Sequence, residues 1–347
     1  MKKILIVGQG VAGTMLAWAL RRRRARVYVA EADLAGSSSP VAAGIINPIT
    51  GKRFVKSWRF DEFFPAAQNA YQALERELGI EIWSGQSIVR LLANAEEEND
   101  WSARCALPDY HDFLSGLSDA GAWSPLIKPG WSFGLIRNAA RVNFPRLLTA
   151  FREKIRSEGF FISEQVEYED IERLEADYDQ IVFCEGFRGS GNPWFPELAW
   201  QLAKGEALMI RFSNEYDTRH IVQMLKRTVT LVPVGERIFW AGGSYQWHYP
   251  DLEPSEGESD YILKHLKEML DAPFEIIRQV AGVRPTVKDR RPFLGQSTVN
   301  PKVFIYNGLG TKGALLAPYW AEHLAEHLLS EKPLDGDVDI RRFKGLG

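Results

Sequence analysis

Residues 3–13, Lys3-Ile4-Leu5-Ile6-Val7-Gly8-Gln9-Gly10-Val11-Ala12-Gly13, decide the fold. The run to Val7 is apolar and rich in β-branched side chains, as a parallel strand buried on both faces requires. G-x-G-x-x-G follows at once, helix formers continue from Thr14 to Arg24, and Arg26-Val27-Tyr28-Val29-Ala30 reads as a second strand ending at Glu31. Each part has a physical task. Gly8 permits the tight turn, Gly10 lets backbone approach a pyrophosphate, and Gly13 lets helix and strand pack closely. The helix start, with Val11 and Ala12, offers free N–H groups to phosphate oxygens, and Glu31 can accept from ribose hydroxyls. Strand, glycines, helix, strand and acid in that order predict a dinucleotide site. An acid at that strand end favours a free ribose, hence FAD or NAD over NADP.

Further along, Gly36 to Pro40 reads as a loop, and the small-residue stretch Val41 to Pro48, with Ala43, Gly44 and Ile45, allows close approach to a flat ligand. Apolar residues at helical spacing predict helices over 61–78 and 144–155, and Asn94 to Asp100 reads as a solvated acidic loop. Strands are expected at 160–166 and 178–184. Short β-rich runs at 207–212, 228–234 and 237–241, separated by turns, predict antiparallel hairpins. A helix at 259–270 and a strand at 275–281 follow. The order predicts an α/β fold: a Rossmann-type dinucleotide-binding domain with an inserted antiparallel β-sheet (α+β) substrate domain. The expected division is 1–60, 141–200 and 280–347 for the nucleotide domain, with 61–140 and 201–279 for the insert.

A second glycine loop, Asn307-Gly308-Leu309-Gly310-Thr311-Lys312-Gly313, sits between a predicted strand and a predicted C-terminal helix. Such a loop favours negative charge, as at the pyrimidine edge of a reduced flavin. Just upstream, Arg284 is held between Val283 and Pro285 after a predicted strand. It is a candidate fork for a substrate carboxylate; an ion pair with Asp289 is the structural alternative.

Taken together, Gly8 to Gly13 with Glu31, SSSPVAAGIINP, YDQIVFCEGFRGS, LAKGEALMI, GVRPTVKDRRPFLG and NGLGTKGALLAP resemble, in order and over nearly the whole chain, the D-amino-acid-oxidase-like family of FAD-dependent oxidoreductases. The resemblance implies an extended FAD beneath an antiparallel sheet. It also implies hydride removal from the carbon beside an amine, giving an imine that hydrolyses. Reoxidation by dioxygen or another acceptor would complete the cycle. By the same resemblance Ala43, Gly44 and Ile45 approach the flavin, Val166 the adenine, and Cys184-Glu185-Gly186 the diphosphate. Gly308, Leu309, Gly310, Thr311, Lys312 and Gly313 bind the pyrimidine, and Arg284 matches the carboxylate-binding arginine. No cysteine stands near Thr311, so non-covalent FAD is expected. A nicotinamide-dependent dehydrogenase, or a flavin-binding protein without turnover, are the other readings.

Composition narrows the partners. The chain has 347 residues and a net charge of −3, which gives no support to nucleic-acid binding. Its two cysteines, Cys105 and Cys184, form no metal-ligand or disulfide pattern. No metal site is expected, and a reducing compartment fits. The apolar stretch from Ile4 is broken by glycines and runs into Arg21 to Arg24, so neither a signal peptide nor a membrane span is expected, and a cytoplasmic protein is. Aromatics make up 12% of the chain, including 11 tryptophans. Tyr245, Trp247 and Tyr249 alternate after a predicted strand and are the candidate pocket wall for an amine or amino-acid substrate.

Overall fold

A computed structural model describes residues 1–235 and 237–343. Its first sheet has six strands, in the order Phe293–Gln296, Val303–Asn307, Gln180–Phe183, Lys3–Val7, Arg26–Ala30 and Phe161–Ile162. All pairings are parallel except that of the first strand. Ile4 and Ile6 face one core and Leu5 and Val7 another, which is why the strand is apolar throughout. The helix Val11–Arg22 buries every residue from Val11 to Leu20. Its alanines let it lie against the sheet and the C-terminal helix Gly313–Ser330. Beyond it, Arg21 pairs with Glu158, and Arg22 and Arg23 with Glu322, so the basic run is tied down rather than merely solvated.

The chain leaves Lys3–Val7 toward Arg26–Ala30 on one side, while Gln180–Phe183 flanks it on the other. The strand order reverses there, and a crevice opens beyond the carboxyl ends of the strands.

The second sheet has nine strands. Its order runs Phe274–Arg284, Ala203–Phe212, Ile238–Gly242, Thr230–Gly235, Met224–Lys226, Trp83–Leu92, Ser132–Val142 and Ile45–Ile46, with Leu114–Leu117 also paired to Ser132–Val142. It is antiparallel apart from the Met224–Lys226 pairing with residues 88–90. One face packs on the helix Glu256–Met269 and on Trp123, whose indole N–H donates to Gln223 O at 3.1 Å. The other face roofs the crevice.

Two expectations need correction. The acidic stretch 94–100 is not a loop: Asn94 accepts from Glu97 N and caps the helix Ala95–Cys105, whose first turn holds Glu96, Glu97 and Glu98. Acids there complement the helix dipole, and Trp101 anchors the helix by lying on Gly134, where a Cβ would meet the indole at 2.3 Å. The strand expected over 160–166 is only Phe161–Ile162. The helix Phe60–Leu78, expected in the insert, packs both on the insert, where Phe60 meets Phe113 and Phe64 and Tyr71 meet Trp83, and on the C-terminal helix. Phe63 contacts Trp320, whose ring stacks on Trp58 at 5.9 Å, and Tyr71 Oη donates to Ala314 O at 3.0 Å. Trp320 is fully buried in this cluster, so its truncation to alanine would cost roughly 3–5 kcal/mol.

Candidate functional site

Two cavities lie end to end in the crevice and share Val11, Ser38, Ser39, Gly310 and Gly313. The first, about 260 Å³, lies over the carboxyl ends of the parallel strands. Gly8, Gly10, Val11, Ala12, Glu31, Val166, Cys184 and Gly186 line it, with Leu309, Gly310 and Gly313 from the second glycine loop. Gly8 has φ +101°, and a Cβ there would stand 2.6 Å from Cys184 O. Gly13 does not line the cavity. A Cβ on it would fall 1.9 Å from Gly8 O, so its role is the close packing of helix on strand.

Glu31 closes this end. Its Oε2 accepts from Gln9 N at 2.6 Å and its Oε1 from Asp33 N at 2.8 Å, which holds the carboxylate at the cavity edge. The helix Val11–Arg22 starts at Gly10 without a side-chain cap. Of its opening N–H groups, Val11's goes to Ser39 Oγ at 3.1 Å, and the remaining ones suit an anion. Glycines that a Cβ would block, an uncapped helix start and a fixed acid fit an extended dinucleotide and its diphosphate.

Cys184 is buried, and burial pushes its thiol well above the ordinary value, with Glu185 adding to the effect. Both effects disfavour the thiolate, the form a nucleophile needs. Glu185 is itself raised by burial, while Asn192 Nδ2 at 2.9 Å and Tyr168 Oη at 3.0 Å donate to its two oxygens.

The second cavity, about 220 Å³, lies between the two sheets. Ala43, Gly44 and Ile45 form its floor, with Thr311 at the edge, and Ala207, Val280, Gly282 and Arg284 its roof. Gly44 has φ +71°, and a Cβ there would strike Val142 O at 1.9 Å. Gly308 faces away, against Val287 and Phe293. Lys312 lies outside both linings and donates to Ser57 Oγ at 3.3 Å. Burial lowers its pKa, and Arg290 and Arg291 lower it further.

Arg284 is the last residue of its strand. Its guanidinium lies flat on Gly205, where a Cβ would come within 2.2 Å of Cζ. It donates to Ser244 O at 3.0 Å and lies 5.1 Å from the Tyr245 ring centroid. Among the described residues no carboxylate pairs with it, and the alternative partner, Asp289, bonds Arg342 instead. Burial lowers its pKa, opposed by Tyr245. The remaining donors of this half-buried fork can meet a ligand carboxylate.

Of the aromatic triplet, Tyr245 stands beside Arg284 at the rim of the cavity, and Trp247 packs behind it. Tyr245 and Trp247 pack edge to face at 4.8 Å on the loop after Gly242, both more than 40% exposed, and Tyr249 is half-buried. None of the three lines the cavity. The aromatic residues that do are Phe144 and Trp240, and of these Trp240 stands on the same sheet as Arg284. Ser39 was missed as well; its only local signal was a place in a serine run before Pro40.

Among the described residues no helix is long and apolar enough to cross a membrane. A family model described as FAD dependent oxidoreductase matches residues 3–327. Among curated proteins, a glycine oxidase of Bacillus licheniformis is 23% identical over 94% of this chain and 92% of its own. A tRNA 5-methylaminomethyl-2-thiouridine biosynthesis bifunctional protein of Idiomarina loihiensis is also 23% identical, over 99% of this chain. This chain spans 59% of that longer protein. Among solved structures, iminodiacetate oxidase from a Chelativorans species superposes with a TM-score of 0.77 at 18% identity, covering 97% of this chain and 98% of its own. Glycine oxidase from Bacillus cereus gives the same score at 17% identity, covering 96% of each chain. The glycine cradle, the fixed acid and the two-sheet crevice are thus those of a known architecture, and the chain belongs to the FAD dependent oxidoreductase family.

Proposed function

We propose that this chain oxidises an amine carrying a carboxylate, an amino acid or a related secondary amine, at the carbon next to nitrogen. The observation that carries the reading is Arg284: a half-buried guanidinium, unpaired with any carboxylate among the described residues, in the roof of the cavity whose floor is Ala43 to Ile45. Bound FAD supplies a two-electron acceptor for the hydride. The chain supplies position and field. Arg284 pairs the substrate carboxylate and so turns the α-carbon toward the floor, a gain of orientation rather than of chemistry. The amine gives up a proton as C=N forms, and water then splits the imine into a carbonyl compound and the released amine. Lys312 and the N-terminal turn of the last helix favour negative charge at the end of the cavity bounded by Gly310 and Thr311.

FAD is held without a covalent link, since no cysteine adjoins Thr311 and Cys184 is buried. Acid precipitation would then leave the flavin in the supernatant. Dioxygen is the acceptor to try first, with peroxide as its product. Two free cysteines suit the cytoplasm.

The decisive experiment is anaerobic mixing of the flavin-loaded protein with a panel of amino acids and secondary amines. Bleaching of the flavin by at least one carboxylate-bearing amine is expected. A flavin that no member of the panel reduces would overturn the proposal.

A further inference from the structure

Trp240 lies on the strand Ile238–Gly242 and lines the second cavity together with Arg284. Two features fix its ring. The indole N–H donates to Val41 O at 3.1 Å, tying the roof to the segment that leads into the floor. The far edge of the ring, at Cη2, lies 2.7 Å from the point a Cβ on Gly242 would occupy and 3.5 Å from the same point on Gly243. Arg284 Nη2 lies 3.0 Å from that Gly243 point. Indole edge and guanidinium therefore border one spot. A ligand whose carboxylate meets Arg284 begins its carbon chain beside the ring.

Space there is short. The cavity measures about 220 Å³ and must also admit part of the flavin. Pockets for drug-sized ligands run to roughly 300–1,000 Å³. The ring cannot swing aside without breaking its bond to Val41.

We propose that Trp240 is the specificity-determining wall of this site and restricts it to α-amino acids or amines whose α-carbon carries hydrogen or a methyl group. The inference rests on the carboxylate reading of Arg284. A bulky α-substituent meets the indole edge, so discrimination arises from exclusion rather than from an added attraction.

The test uses binding in addition to turnover. Acetate and phenylacetate are titrated into the flavin-loaded protein, with perturbation of the flavin absorbance as the readout. Wild type should bind acetate at least about tenfold more tightly, and W240A should bring the two acids to within about threefold by tightening phenylacetate. W240F should give an intermediate ratio, and it decides alone should W240A not retain flavin. In turnover, the ratio of kcat/KM for phenylalanine to that for glycine should rise in W240A by about tenfold or more. A phenylacetate-to-acetate ratio that ignores both substitutions, while R284A weakens both acids, overturns the wall and leaves the carboxylate site standing. If neither acid perturbs the wild-type flavin, the carboxylate site falls and the wall with it.

Discussion

The two cavities of the crevice are built from different materials. The first is made of backbone: Gly8, Gly10 and Gly186 let the chain come close, the helix start supplies N–H groups, and one side chain, Glu31, fixes an end. The second is made of side chains on strands far apart in sequence, with Trp240 and Arg284 projecting over Gly205, Gly242 and Gly243. A backbone site fails when any atom is added, whereas a side-chain site fails when its group is removed. The two should therefore break separately. The largest effect is expected for Gly13→Ala. Its Cβ would lie 1.9 Å from Gly8 O, backbone against backbone, and neither can yield without moving helix or strand. Loss of FAD binding by at least about 100-fold is expected, together with several °C in Tm, because even milder overpacking costs roughly 1–3 kcal/mol. Fluorescence titration with FAD measures it. Binding within a few-fold of wild type would show that the cradle tolerates displacement.

Arg284→Ala sharpens the contrast from the other side. FAD binding should be unchanged, while kcat/KM for a carboxylate substrate falls about 10- to 100-fold, mostly through KM, as expected for lost charge-assisted hydrogen bonds of roughly 1.5–3 kcal/mol. Lysine at this position should recover part of the loss, since it keeps the charge but not the fork. A substrate lacking the carboxylate should not respond at all. Unchanged kinetics would remove the arginine from the site.

The same contrast explains what could be read from the chain. Backbone sites need glycine at fixed short spacings, and the first glycine loop was legible because every participant lies within a few residues of the next; of the second, Leu309, Gly310, Thr311 and Gly313 reach a cavity lining and Gly308 and Lys312 do not. Arg284 was legible because Gly282 and Pro285 bracket it. Trp240 was not. Its significance depends on Ala207, Gly242 and Val41, which sheet register and a single hydrogen bond bring together across 200 positions of sequence. Counting aromatics points instead to Tyr245, Trp247 and Tyr249, which alternate as a strand does; they follow Gly242 outside the cavity lining, with only Tyr245 in reach of Arg284. The helix Ala95–Cys105 was misread because charge density outweighed its capping signal: Asn94 with Glu97 three residues on satisfies the capping pattern, and Trp101 supplies the buried anchor. The place of the helix Phe60–Leu78 was beyond reach for another reason. Helical spacing identifies the apolar face, and only the fold shows that Trp320 covers it from one side and Trp83 and Phe113 from the other.

Lys312 tests the boundary between the two materials, because it sits in a glycine loop but outside both linings, with its ammonium on Ser57 Oγ. Arg290 and Arg291 add positive charge around it and lower its pKa after the larger effect of burial. Lys312→Met should keep FAD bound but, by removing a positive charge near the reduced ring, make its reduction potential more negative by roughly 10–30 mV, about 0.5–1.4 kcal/mol. Spectroelectrochemical titration reads this directly. A potential that stays put would confine Lys312 to its bond with Ser57 Oγ.

The smallest effect belongs to Glu185, the one carboxylate in the backbone cavity whose pKa the fold raises. Burial is the main cause. Asn192, Tyr168 and Arg188 oppose it, so burial outweighs the groups that favour charge. With the folded value above the unfolded one, the native state binds the proton more tightly. Its contribution to stability is therefore whole below the ordinary carboxylate value and is lost as pH rises through the raised one. Glu185→Gln removes that titration and keeps an acceptor for Tyr168. Relative to wild type, the variant should gain roughly 2–4 °C in Tm between pH 5 and pH 8, beyond any constant offset from the altered Asn192 bond. Parallel pH profiles would mean that the carboxylate is already charged in the fold. The dinucleotide cavity would then carry a second negative group beside its diphosphate, and Arg188 would have to be its counterion.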